Sequence, residues 1–143
     1  MSAGSQVGMS PARILIVDDD CDNRELLQVI LNWEGFVTQT AGSGEEALAS
    51  VAATPPDLML LDLSLPGLSG FEVTSQMKGN VPTKDIPVVI ISGRGDDATR
   101  MRALNAGAVD FILKPVDRAD LSQRVRSILR PKPTVLGASD AKE

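Results

Sequence analysis

Histidine is missing altogether from the 143 residues, and so is tyrosine. Without an imidazole there is no His-based acid–base catalysis, no Ser-His-Asp triad and no His-ligated metal site. Cysteine occurs once, as Cys21, so no internal disulfide can form, which fits a reducing cytoplasm. The acids around Cys21 disfavour its thiolate, so it is not read as a nucleophile. No apolar stretch approaches the roughly 20 residues that a membrane helix needs. Residues 1–10 lack the basic-then-apolar order of a secretory signal. Acidic residues outnumber basic ones by 19 to 14, and a net charge of −5 repels nucleic acid. Neither a membrane partner nor direct nucleic-acid binding is expected.

What is present suits one domain: 43% of residues are apolar, enough for a single core. Residues 1–11 and 131–143 are small, polar and aperiodic, and read as flexible tails around a domain at 12–130. The residues after Leu129 are too few and too polar for a second domain to be expected there. Five short apolar runs lie between the tails: Ile14–Val17, Phe36–Ala41, Leu58–Leu63, Val88–Ile91 and Val109–Leu113. Four are nearly continuous, as in strands buried on both faces of a parallel sheet, while the polar second run suits an edge.

Each run precedes a segment with helical spacing. Asp22-Asn-Arg-Glu25 reads as a capping box, with Leu26, Leu27, Ile30 and Leu31 on one face and a stop at Gly35. Ser43-Gly-Glu-Glu46 repeats the device before Ala47, Leu48, Val51 and Ala52. Helices are also predicted over Gly70–Lys78, Asp97–Ala106 and Asp117–Leu129. The alternation predicts a five-stranded parallel α/β sheet, (βα)5, doubly wound with helices on both faces.

In such sheets ligands bind beyond the carboxyl ends of the strands. Asp18, Asp19 and Asp20 follow the first run, Asp62 ends the third, Ser92 follows the fourth and Lys114-Pro115 the fifth. Clustered carboxylates share protons or bind a cation, and an all-oxygen set favours Mg²⁺ or Mn²⁺. A carboxylate beside such a cation can act as a nucleophile toward phosphorus, with Lys114 offsetting charge and the Ser92 hydroxyl donating to an oxygen. Acids after strands commonly cap helices, and Asp20 and Asp22 are assigned that role. Asp62 lies inside Leu-Leu-Asp-Leu, where an unpaired carboxylate would be costly, so it is assigned to chemistry.

Four segments together resemble the receiver domain of two-component response regulators: Ile-Leu-Ile-Val-Asp18-Asp19-Asp20, Leu-Met-Leu-Leu-Asp62-Leu-Ser-Leu-Pro66-Gly-Leu-Ser-Gly70, Val-Val-Ile-Ile-Ser92-Gly, and Phe111-Ile-Leu-Lys114-Pro115. The resemblance runs from about Arg13 to Leu129 and implies a flavodoxin-like strand order 2-1-3-4-5. It implies Asp62 as the phospho-acceptor. Asp19 would ligate Mg²⁺ directly, Asp18 through water and Ser64 through its backbone carbonyl, with Lys114 on the phosphoryl group. Ser92 takes the place of the switch hydroxyl, and Phe111 that of the switch aromatic, its inward state resting on packing alone. Ser64 and Arg94 stand where the family tunes phosphoryl lifetime. The Lys114-Pro115 bond resembles the family's cis peptide. The implied donor is a phosphohistidine on a sensor histidine kinase or histidine phosphotransfer protein, and the aspartyl phosphate is expected to hydrolyse. The implied output surface is the face of the fourth helix, fifth strand and fifth helix, around Arg100–Asn105 and Phe111–Arg118.

Two other readings use the same residues. A Mg²⁺-dependent phosphohydrolase of the haloacid dehalogenase type would take Asp18 as nucleophile, though Asp22 stands where that motif wants Thr and Asp62 goes unexplained. A never-phosphorylated adaptor would leave the acids, hydroxyl and lysine without a purpose.

Overall fold

The computed structural model describes residues 11–130; the tails expected at 1–11 and 131–143 lie, but for Pro11, outside the described residues. The strands are β1 (Arg13–Val17), β2 (Val37–Ala41), β3 (Leu58–Asp62), β4 (Val88–Ser92) and β5 (Asp110–Leu113). The helices are α1 (Cys21–Trp33), α2 (Gly44–Ala53), α3 (Gly70–Lys78), α4 (Asp97–Ala106) and α5 (Arg118–Leu129). All strands are parallel, in the order β2-β1-β3-β4-β5, with polar β2 at one edge as its composition predicts.

Strand side chains alternate between faces, and the alternation sorts the core into two halves. Ile14, Ile16, Leu58, Leu60, Val89, Ile91 and Ile112 face Leu27, Ile30 and Leu31 of α1 and Leu121 and Val125 of α5. Leu15, Val17, Met59, Leu61, Val88, Ile90 and Phe111 face α2, α3 and α4. Burying strands on both sides explains why the middle runs are continuously apolar: β3 and β4 are buried at every position.

The helix starts differ in detail from the sequence reading. The cap of α1 is Asp20, whose side chain accepts the Asp22 N–H at 2.9 Å, so the Asp22–Glu25 box does not form. Leu26 falls outside the buried stripe and is 57% exposed. Ser43 caps α2 by accepting the Glu46 N–H, but Glu46 turns to the Gly42 N–H and the reciprocal bond is absent. A complete capping box occurs instead at Ser69 and Glu72, starting α3.

Candidate functional site

The register brings the carboxyl ends of β1, β3, β4 and β5 together, since Val17 pairs with Leu61, Asp62 with Ile91, and Ser92 with Leu113. Asp62 ends β3 on the parity of Leu58 and Leu60, facing the α1 and α5 side. It is 5% exposed, and its Oδ1 accepts the Ser64 N–H at 3.1 Å. Gly70 makes this turn possible: a Cβ there would stand 2.9 Å from the Asp62 carbonyl oxygen, a clash with backbone.

Asp18 is buried beside it. Its N–H donates to the Ala41 carbonyl at 3.1 Å, and its Oδ1 accepts the Asp20 N–H at 2.9 Å. Burial pushes its carboxyl above the ordinary aspartate value and repulsion from Asp62 adds to this, against the Asp20 N–H bond and the Lys114 charge. Lys114 reaches both acids, with Nζ 3.2 Å from Asp62 Oδ2 and 3.9 Å from Asp18 Oδ2. The Lys114–Pro115 peptide is cis, and the Lys114 N–H donates to the Ser92 carbonyl at 2.8 Å.

Carboxylate oxygens of Asp18, Asp19 and Asp62 lie within 4.8 Å of one another. Asp19 is exposed while the other two are buried, so the cluster opens to solvent through Asp19. Oxygen donors alone, with two carboxylates in repulsion and one lysine to offset them, fit a hard divalent ion such as Mg²⁺. Asp20, Cys21 and Asp22 also stand close together, but Asp20 is engaged as the α1 cap.

Ser92 and Phe111 share the opposite parity, toward α4. The Ser92 hydroxyl is buried and accepts the Arg94 N–H at 3.0 Å. Phe111 is buried in the core, and the Arg100 guanidinium lies 4.9 Å from its ring centroid. Its inward position therefore rests on a cation–π contact as well as on packing. The Arg94 side chain extends outward to Asp96 at 3.5 Å, 78% exposed.

Sequence reasoning gave no site role to three residues here. Asn23 and Leu26 join Asp18, Lys114 and Val116 around a small cleft beside the acids, and Arg24 bonds the Asp18 backbone at 2.7 Å. Their only sequence signal was position on the first turns of the helix after the acid loop.

A doubly wound parallel sheet that gathers paired acids, a further buried carboxylate, a hydroxyl and a lysine beyond its strand ends defines a phosphoryl-accepting signalling switch. The family model described as the response regulator receiver domain matches residues 14–126, and the chain belongs to that family. The chain is 45% identical over 124 residues to the response regulator PleD of Caulobacter vibrioides, covering 85% of this chain and 27% of that protein. It is 40% identical over 118 residues to the DNA-binding response regulator MtrA of Mycobacterium tuberculosis, covering 82% and 50%. Among solved structures, the receiver domain of NtrX from Brucella abortus superposes with a TM-score of 0.76 at 38% identity, covering 83% of this chain and 99% of that one. The chain thus spans about half or less of the length of the curated relatives it matches. The haloacid dehalogenase reading finds no support in these similarities, which are to response regulators.

Proposed function

We propose that Asp62 is the phospho-acceptor and that the donor is a phosphohistidine on a sensor histidine kinase or histidine phosphotransfer protein. The observation that carries this is the Lys114 ammonium bridging Asp62 and Asp18 at 3.2 and 3.9 Å, at an otherwise buried carboxylate. The donor histidine must come from a partner, because this chain has none. An Asp62 oxygen attacks phosphorus, the P–N bond breaks, and the imidazole leaves with its electron pair and takes up a proton. Lys114 stays beside the acyl phosphate and offsets its charge. Asp18, Asp19, Asp62 and the Ser64 carbonyl would hold Mg²⁺, which supplies charge neutralisation to the phosphoryl oxygens when bound. Mn²⁺ suits the same donors.

Leu26, Val29 and Trp33 form an exposed apolar stripe along α1, starting beside the cleft at Asp18 and Lys114. That stripe supports docking of the donor across α1, with its histidine over the acids. On the other side, Met101 and Leu104 of α4, Val109 in the connection after it and Leu113 of β5 are exposed, which supports an effector surface on the α4–β5–α5 face. The Ser92 hydroxyl would turn from the Arg94 N–H to the phosphoryl group, linking the site to that face. Ser64 and Arg94 hold the positions that the receiver resemblance links to phosphoryl lifetime, and intrinsic dephosphorylation would depend on them. No helix among the described residues is long and apolar enough to cross a membrane, which accords with a cytoplasmic setting.

The test is intact mass after incubation with acetyl phosphate and Mg²⁺, comparing wild type with Asp62→Asn. A single labile phosphoryl adduct, lost with EDTA and in the variant, is expected. An adduct that persists in Asp62→Asn would move the nucleophile elsewhere.

A further inference from the structure

Arg24 sits on the first turns of α1, six residues beyond Asp18, and is half-buried. Its Nη1 donates a 2.7 Å hydrogen bond to the Asp18 backbone carbonyl. The same nitrogen stands 3.3 Å from where a Cβ on Gly42 would lie, and Glu46 Oε1 stands 3.4 Å from that point. Glu46 Oε1 in turn accepts the Gly42 N–H at 2.7 Å. The guanidinium therefore fills the space between the loop after β1, which carries the acids, and the loop after β2.

The other polar groups of Asp18 are held from elsewhere: its N–H by Ala41 and its Oδ1 by the Asp20 N–H. Its Oδ2 faces Lys114, with Nζ 3.9 Å away. A carboxylate loop gains from such restraint, because a ligand set already in place loses little conformational freedom when an ion arrives. The bond comes from a side chain anchored on a helix, and a guanidinium with its donors in a fixed plane holds a carbonyl beside Gly42 better than an ammonium does.

We propose that Arg24 is a positioning residue for the Mg²⁺ site, fixing the loop from which Asp18 and Asp19 present their carboxylates. This rests on the reading of those acids as Mg²⁺ ligands. Two effects of Arg24 oppose each other. Its charge disfavours a cation, but it is partly solvated and screened. Its grip on the carbonyl favours one, and this effect wins.

The measurement is Mg²⁺ titration of the full unphosphorylated chain, followed by amide chemical shifts near Asp19 and Ser64. Arg24→Ala raises the Kd for Mg²⁺ about tenfold, in the range for groups that hold metal ligands in place. The Mg²⁺ concentration giving half-maximal adduct formation with acetyl phosphate rises by the same factor, a shift that general destabilisation would not give. Arg24→Lys, which keeps the charge and one donor, recovers part of the loss. Gly42→Ala, which crowds the guanidinium without removing it, moves the Kd in the same direction and decides the matter if Arg24→Ala does not fold. Folded variants with wild-type or tighter Mg²⁺ binding would overturn the inference alone. Wild type that binds no Mg²⁺ would overturn the site reading and this inference with it.

Discussion

The two faces of the sheet use the same strands and are both deeply packed, but their helices are not anchored alike. On one face α1 buries Leu27, Ile30 and Leu31, and α5 adds Leu121 and Val125. On the other, α4 buries only Ala103 and leaves Met101 and Leu104 in solvent. What ties α4 down is mostly peripheral: Arg102 lies over the Phe71 ring at 4.1 Å and Arg100 over Phe111 at 4.9 Å. Site residues divide by the same parity. Asp62 ends β3 on the α1 side, whereas Ser92 and Phe111 point toward α4. The group proposed to react therefore lies over deep packing, and the groups proposed to report the reaction lie under a thinly anchored helix.

The largest expected effect comes from attacking that packing directly. Leu31 is fully buried on α1, so Leu31→Ala should lower unfolding stability by about 2–5 kcal/mol. Leu104 is 44% exposed on α4, and Leu104→Ala should change stability by no more than about 0.5 kcal/mol. Urea unfolding of both variants checks the pair; similar losses would mean α4 is anchored as firmly as α1.

Amide exchange probes the same contrast without mutation. In the unphosphorylated protein, α4 amides should exchange at least about tenfold faster than those of Leu27–Leu31, because α4 can open locally while α1 opens only with the core. Phosphorylation with acetyl phosphate should change exchange in α4 and β5 and leave α1 as it was. Unchanged exchange in α4 and β5 would remove that face from any role in output.

The strands and the gathering of the acids were legible in the sequence because burial on both faces leaves uninterrupted apolar runs, and Asp62 interrupts one of them. Less legible was anything set by one residue of register. Asp20 and Asp22 are equally good caps in isolation; only the position of Val17 at the end of β1 decides that α1 starts at Cys21. Leu26 belongs to the helical stripe by spacing, yet rotation of α1 against the sheet turns it out to solvent. The Arg24 bond to Asp18 and the Arg100 contact with Phe111 join side chains to groups whose positions only the assembled fold defines. Composition carries no trace of them.

Asp18 and α4 also give opposite responses to pH. Burial, reinforced by Asp62, raises the Asp18 carboxyl above its ordinary value of 3.8. As pH rises from that value through the higher folded one, the native state keeps a proton that the unfolded chain has released, so stability falls. Asp18→Asn removes this cost and keeps an oxygen for the Asp20 N–H. Without Mg²⁺ it should therefore stabilise the protein at pH 7, with no gain below the ordinary aspartate value. Thermal unfolding of both proteins across pH 3–7 (a range chosen to span roughly the carboxylate titrations) would show it. A destabilised Asn variant at pH 7 would mean that its ion pair with Lys114 outweighs burial.

The smallest effect lies at the start of α4. Asp96 caps that helix, accepting the Thr99 hydroxyl at 2.8 Å and the Thr99 N–H at 3.1 Å. The hydroxyl bond, and then the N–H, hold its carboxyl below the ordinary value of 3.8. The sign is opposite to that of Asp18: the contribution is present above the ordinary value and fades as pH falls through the lower folded one. Asp96→Asn keeps capping geometry and loses the charge, whereas Asp96→Ala loses both. At pH 7 the first-turn amides of α4 should exchange fastest in Ala, next in Asn and slowest in wild type. The gap between Asn and wild type should close in acid while the gap to Ala persists. An Asn variant matching wild type at every pH would show that α4 is started by geometry alone, leaving its weak anchoring to the two arginine–phenylalanine contacts.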